Sequence, residues 1–228
     1  MNTIQINFAF DFCCLIFLLF LIGIYLSKKN ANNIDNKIYK QLLIWCFLSL
    51  VFNTIYPIFG LLGFLDIAVL LSRVYGFCLE LYCFFLMFYS IVIAKQHDEK
   101  FIKKFEDKYN IVLPILLVIS SLLNIPLLLL PLSMEIKELE VSMSGTMINY
   151  IFYLQCLYII ILVVTIALFR KKMDKSKLIP FYVLGVFSAV AFTVMSFFPS
   201  LVSIVIIITV ITYLMYHTIE NPDMQMVN

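Results

Sequence analysis

Apolar positions along this chain fall in continuous blocks rather than in strict alternation with polar ones. Seven such blocks, at about 6–27, 39–61, 70–94, 110–131, 147–169, 178–197 and 200–218, come close to or exceed the length a helix needs to cross a bilayer, which is roughly 20 apolar residues. A membrane β-barrel would instead alternate over about ten residues per strand, and a run such as CLIFLLFLIGIYL (14–26) does not. The pattern predicts an all-α integral membrane protein, a bundle of seven transmembrane helices. Only Phe198, Pro199 and Ser200 separate the last two blocks, so those two are expected to form a hairpin.

Composition agrees with this reading and removes the soluble alternatives. Hydrophobic residues make up 63% of the chain and charged residues 13%, with a mean hydropathy of +1.02, far from the balance of a soluble domain. The first block has no Lys or Arg before it and no small-residue cleavage site after it, so it reads as a retained span rather than a secretion signal.

Charge then sets the expected orientation. Lys28, Lys29, Lys37 and Lys40 lie between spans 1 and 2, and Lys95, Lys100, Lys103, Lys104 and Lys108 between spans 3 and 4. Arg170, Lys171, Lys172, Lys175 and Lys177 lie between spans 5 and 6, which leaves only Arg73 and Lys137 for the other side. Basic connections stay in the cytoplasm, so the N-terminus is expected outside and the C-terminus inside. The same clusters are explained by topology and lipid headgroups, and they give no reason to expect nucleic acid.

Candidate chemistry is sparse. The six cysteines, at 13, 14, 46, 78, 83 and 156, all fall within predicted spans with no CxxC pair, so neither a metal nor a cofactor is expected. There is no phosphate-binding glycine loop, HExxH or GxSxG. His97 stands among charges in a cytoplasmic connection, and His217 sits with Tyr213 and Tyr216 where the last span meets the headgroups, an anchoring position. The last span has no lysine, which sets aside a retinal Schiff base.

Ionisable groups inside a span are costly and each marks a possible site. Span 3 carries Arg73 and Glu80, seven residues apart with Gly76 between them; close to two turns, this puts both on one face about 10 Å apart. Arg73 is near enough to the outer surface to snorkel. Glu80 is near mid-span and must take a proton or find a donor. Donors within reach of such a span are Asn53 and Tyr56 in span 2, Asn124 in span 4, and Asn149, Tyr150, Tyr153 and Gln155 in span 5. Arg73, Glu80, Asn53, Tyr56, Asn149 and Tyr150 are therefore the candidate sensing residues. The competing role for the same groups is helix-to-helix hydrogen bonding, at about 0.6 kcal/mol apiece. Asp11 opens span 1, Asp66 falls in the short outer turn GLLGFLD, and Glu135, Glu138 and Glu140 make the outer connection between spans 4 and 5 acidic.

The C-terminal ITYLMYHTIENPDMQMVN (211–228) resembles the end of the multi-span sensor region of membrane histidine kinases from low-GC Gram-positive bacteria. Looser support comes from NKIYKQLLI, SGTMINYIFYLQCLYIIILVV and FRKKMDKSKLIPF. The resemblance implies a bacterial plasma-membrane sensor over residues 1–218, with 219–228 beginning a cytoplasmic signalling helix. It also implies a homodimer fused to a kinase core, answering a peptide, lipid or small-molecule signal. His217, Glu220, Asn221, Pro222 and Asp223 would form the transmission junction, because proline disfavours helical geometry at Asn221 and removes a hydrogen bond. The chain has no phosphoacceptor-helix motif and no ATP-binding motif, so it is expected to be part of a longer kinase and not itself an enzyme. The alternative is a small multi-span transporter or channel, although the halves show none of the repeats common in transporters.

Overall fold

The computed structural model describes residues 3–27, 34–96, 98–137, 140–173, 175–197 and 204–220. Among these residues the chain forms seven helices: α1 (Thr3–Ser27), α2 (Ile34–Leu61), α3 (Leu65–Ala94), α4 (Glu99–Leu129), α5 (Thr146–Phe169), α6 (Lys175–Phe197) and α7 (Ile204–Glu220). Helices α1 to α5 are long and apolar enough to cross a membrane, and shorter apolar stretches occupy Lys177–Ser188 and Ile204–Thr218. The fold thus fits an α-helical membrane bundle.

Helix α3 is the axis. In its most apolar stretch 78% of residues are buried, against 17% in α4 and in α5. It pairs along its length with α2 and then with α5, while α7 packs against α6, α2 and α1. The outer helices turn large apolar side chains away from the protein: Phe20 is 69% exposed, Leu129 78% and Leu168 72%. An apolar surface of this extent needs an apolar surrounding, which is what hydrocarbon supplies.

Three sequence expectations are corrected by the local structure. The chain is not purely helical: residues 133–144 form an antiparallel hairpin of β1 (Ser133–Lys137) and β2 (Glu140–Ser144), with Ser133 opposite Ser144 and Met134 opposite Met143. Second, most of the lysine-rich connection 95–109 is helical. Helix α4 starts at Glu99 because Asp98 caps it, accepting from the Phe101 N–H at 3.1 Å, which satisfies one of the unpaired donors of a first turn. Third, Asp66 belongs to the first turn of α3 and not to a loop. The expected hairpin at 198–200 lies outside the described residues, as does His97.

The hairpin is joined to α5 through Gly145. Its φ of +134° is a conformation side chains rarely adopt, and a Cβ there would stand 2.4 Å from the Pro131 carbonyl oxygen. This close approach lets the Met147 N–H reach the same oxygen at 3.2 Å. Glycine is what brings β2 and α5 back against the end of α4.

The opposite, lysine-rich end is tied by polar groups. Asp35, in the first turn of α2, accepts from Lys177 of α6 and, at 3.2 Å, from the Gln96 amide beyond α3. Both Asp35 and Lys177 are almost fully buried. Nearby, Glu106 of α4 accepts from the Ile34 N–H at 3.0 Å, and the Tyr109 hydroxyl donates to the Lys37 carbonyl at 3.1 Å. Lys177, expected only as one of the charges marking a cytoplasmic connection, is therefore also an internal pairing group.

Candidate functional site

Toward the hairpin end, α1, α2, α3 and α5 line a partly open cavity of about 360 Å³, to which β2 contributes Met143 and α7 contributes Ile204. Its wall is mostly aliphatic and aromatic, with Leu79, Ile148 and Ile151 among the apolar side chains. The polar groups are Asn7 and Asp11 from α1, Asn53 and Tyr56 from α2, Tyr75 from α3 and Gln155 from α5. The volume is within the usual range for a small-molecule site, as is the mixture of an apolar wall with a few placed polar groups.

Asp11 and Asn53 form the built part of this wall. The Asn53 amide donates to an Asp11 carboxylate oxygen at 2.7 Å, and both side chains are buried. Helix α2 carries Asn53 and Tyr56 three residues apart, so they share a face. The Tyr56 ring stacks near that of Tyr75, with centroids 6.0 Å apart. Pro57 lies inside α2 and also lines the cavity.

Only part of the expected sensing set comes together here. Asn53 and Tyr56 line the cavity, while Arg73, Glu80, Asn149 and Tyr150 do not. Arg73 donates to the Leu127 carbonyl of α4 at 2.7 Å and approaches the Met147 sulfur. The chemical reason is visible in the sequence: the helical partner of that carbonyl would be residue 131, a proline with no N–H. Tyr150 donates to the Leu123 carbonyl at 2.6 Å, so it fastens α5 to α4. Asn149 is exposed. Gly76, between Arg73 and Glu80, is covered by Ile151 and Met147, whose side chains would stand 3.0 and 3.1 Å from an added Cβ.

Glu80, which follows the cavity-lining Leu79, is fully buried, and neither carboxyl oxygen has a hydrogen-bond partner among the described residues. Gln155 of α5 approaches it without reaching hydrogen-bond geometry. Asn124, another expected donor, is also buried with its amide unpaired among the described residues. Asp11, Tyr75 and Gln155 were absent from the candidate sensing set. The rule that flagged Glu80 would have found Asp11, whereas a tyrosine in a span carries no comparable mark.

Farther along the bundle, α7 is held toward its middle at two successive turns. The Tyr39 hydroxyl of α2 donates to the Thr212 carbonyl at 3.2 Å. The Tyr82 hydroxyl of α3 donates to the Ile208 carbonyl at 3.2 Å and lies 3.1 Å from the Thr212 hydroxyl. His217 is exposed and touches the Tyr213 and Tyr216 rings edge-on, at 4.4 and 5.6 Å. The α7 helix continues to Glu220, and Asn221, Pro222 and Asp223 lie outside the described residues.

The described residues hold no cluster of three or more metal-ligating side chains, and all six cysteines are free thiols. Neither the models of known protein families nor the curated proteins compared with this chain give a match. The class defined by the fold is an α-helical bundle with an apolar exterior that fits a membrane.

Proposed function

We propose that this chain is the membrane-embedded sensing module of a two-component histidine kinase, with seven spans, an outer N-terminus and a cytoplasmic C-terminus. It works in a bacterial plasma membrane, as a homodimer fused to a kinase core. The observation that carries this reading is the course of α7. Its first described residue, Ile204, lines the cavity, its middle is held by Tyr39 and Tyr82, and its end leads into the HTIENPD sequence.

A ligand can move α7 only by favouring one of two helix arrangements over the other. The two tyrosine hydroxyls define one arrangement. Removing both costs that arrangement about 1–2 kcal/mol, a shift of roughly five- to thirtyfold in the ratio of the two states. Tyr39→Phe combined with Tyr82→Phe is therefore expected to change basal autophosphorylation several-fold in a histidine-kinase core joined after Asn228 and assayed in liposomes. Unchanged output at equal membrane content would sink the sensor reading. A stimulus-dependent flux of solute across the same liposomes would favour the transporter or channel alternative.

A further inference from the structure

We propose that the cavity lined by α1, α2, α3 and α5 binds an uncharged small molecule, a hydroxyl or primary amide group on an apolar body, with its polar group held by Tyr56, Tyr75 and Gln155. The inference rests on the reading of this cavity as the signal site and names the chemistry of the signal. Size decides first. A volume of about 360 Å³ equals roughly a dozen waters' share of the liquid, which suits a small molecule and leaves no room for a peptide of several residues.

Hydrogen bonding fixes the head group. Tyr56, Tyr75 and Gln155 come from three different helices, and all three line the cavity. Among the described residues, neither the Tyr56 nor the Tyr75 hydroxyl takes part in a hydrogen bond with the protein, and the Gln155 amide nitrogen has no partner. Gln155 also approaches Glu80, so its N–H groups suit that carboxyl and its carbonyl oxygen is left to accept from a ligand. The tyrosine hydroxyls can donate. A hydroxyl or primary amide answers both demands, since it carries a donor and an acceptor. A hydrocarbon, such as the end of a lipid chain, would leave these groups unpaired, and sites built around polar groups reject analogues that lack the matching one.

Charge then narrows the class. Among the described residues the lining holds no Lys, Arg or His, so an anion would enter a mainly hydrocarbon wall without a counter-charge, at a high desolvation cost. The acid of the wall, Asp11, is engaged by the Asn53 amide at 2.7 Å, and binding makes no call on it. The three groups that await a partner are neutral, and so is the ligand. Leu79, Ile148 and Ile151 suit the apolar body.

The test compares four probes of similar shape: 2-phenylethanol, ethylbenzene, 2-phenylethylammonium and 3-phenylpropionate. Binding to the chain in nanodiscs is followed by calorimetry, with empty nanodiscs subtracted and each affinity referred to the probe dissolved in the bilayer. The alcohol is expected to bind at least tenfold more tightly than ethylbenzene or either ion. Tyr56→Phe combined with Tyr75→Phe keeps both rings; it should bring the alcohol to the affinity of ethylbenzene and leave ethylbenzene unchanged, which shows that the variant is folded. Ile148→Trp, which fills the cavity, should abolish binding of both. Ethylbenzene binding as tightly as the alcohol would make the cavity a space for lipid chains and overturn the proposal. An ion that binds more tightly than the alcohol, no alcohol binding at millimolar concentration, or a double phenylalanine variant that binds the alcohol as before would each overturn it too. Alcohol binding that leaves the output of the joined kinase core unchanged would overturn the sensor reading and leave the site standing. Kinase output that responds to ethylbenzene as strongly as to the alcohol would do the reverse.

Discussion

Lys177→Met is expected to destabilise the folded bundle by about 3–5 kcal/mol, the usual cost of removing one partner from a buried ion pair. Lys177 and Asp35 join α6 to α2 with side chains only 8% and 7% exposed. Without the lysine, Asp35 keeps the neutral Gln96 amide at 3.2 Å, and a single neutral donor does not offset a buried charge. Thermal unfolding of wild type and variant in one detergent measures the loss. The double variant Asp35→Asn with Lys177→Met should recover most of it, since the uncompensated charge is then gone. A double variant no more stable than the single one would show that the energy is in packing and not in charge.

Glu80→Met should act in the opposite direction, raising stability by about 1–3 kcal/mol. Both carboxyl oxygens are buried without a partner among the described residues, so the substitution removes a desolvated group and no hydrogen bond. Methionine is flexible enough to follow the shape of the space left by the carboxyl. The readout is the midpoint of thermal unfolding in nanodiscs. A lower midpoint would mean that the carboxyl stabilises the bundle through a contact such as Gln155. A higher midpoint together with a lost signalling response would mark Glu80 as a group kept for function at the expense of stability.

The helices were legible because hydrocarbon imposes its demand locally: every residue of a lipid-facing run must be apolar, and such runs stand out in sequence. The hairpin was missed, although its signal is in the sequence. Ser133–Lys137 and Glu140–Ser144 alternate Met134, Ile136 and Val141, Met143 with polar residues, the period of a strand; the length and acidity of the segment suggested an ordinary loop. Asp35 and Lys177 could not have been paired in advance. Each looks like any other charge in a cytoplasmic connection, and nothing local to either one points to the other. Arg73 shows the same limit. Its position marked it as a site residue, but its partner is a carbonyl left without a donor by Pro131, and that match depends on how α3 and α4 come together.

The pairing of Asp35 with Lys177 also has a consequence in time. Helices α2 and α3 follow one another through a short turn at Leu62, Gly63 and Phe64, and closing so short a loop costs little chain entropy. They can associate as soon as both have been synthesised. Asp35 must then wait for a partner 142 residues further along, after α4, the hairpin and α5 have been made. The aspartate at the start of the second helix thus stays incomplete until the sixth arrives, and a chain interrupted before Lys177 would expose a defect at the mouth of an otherwise assembled core.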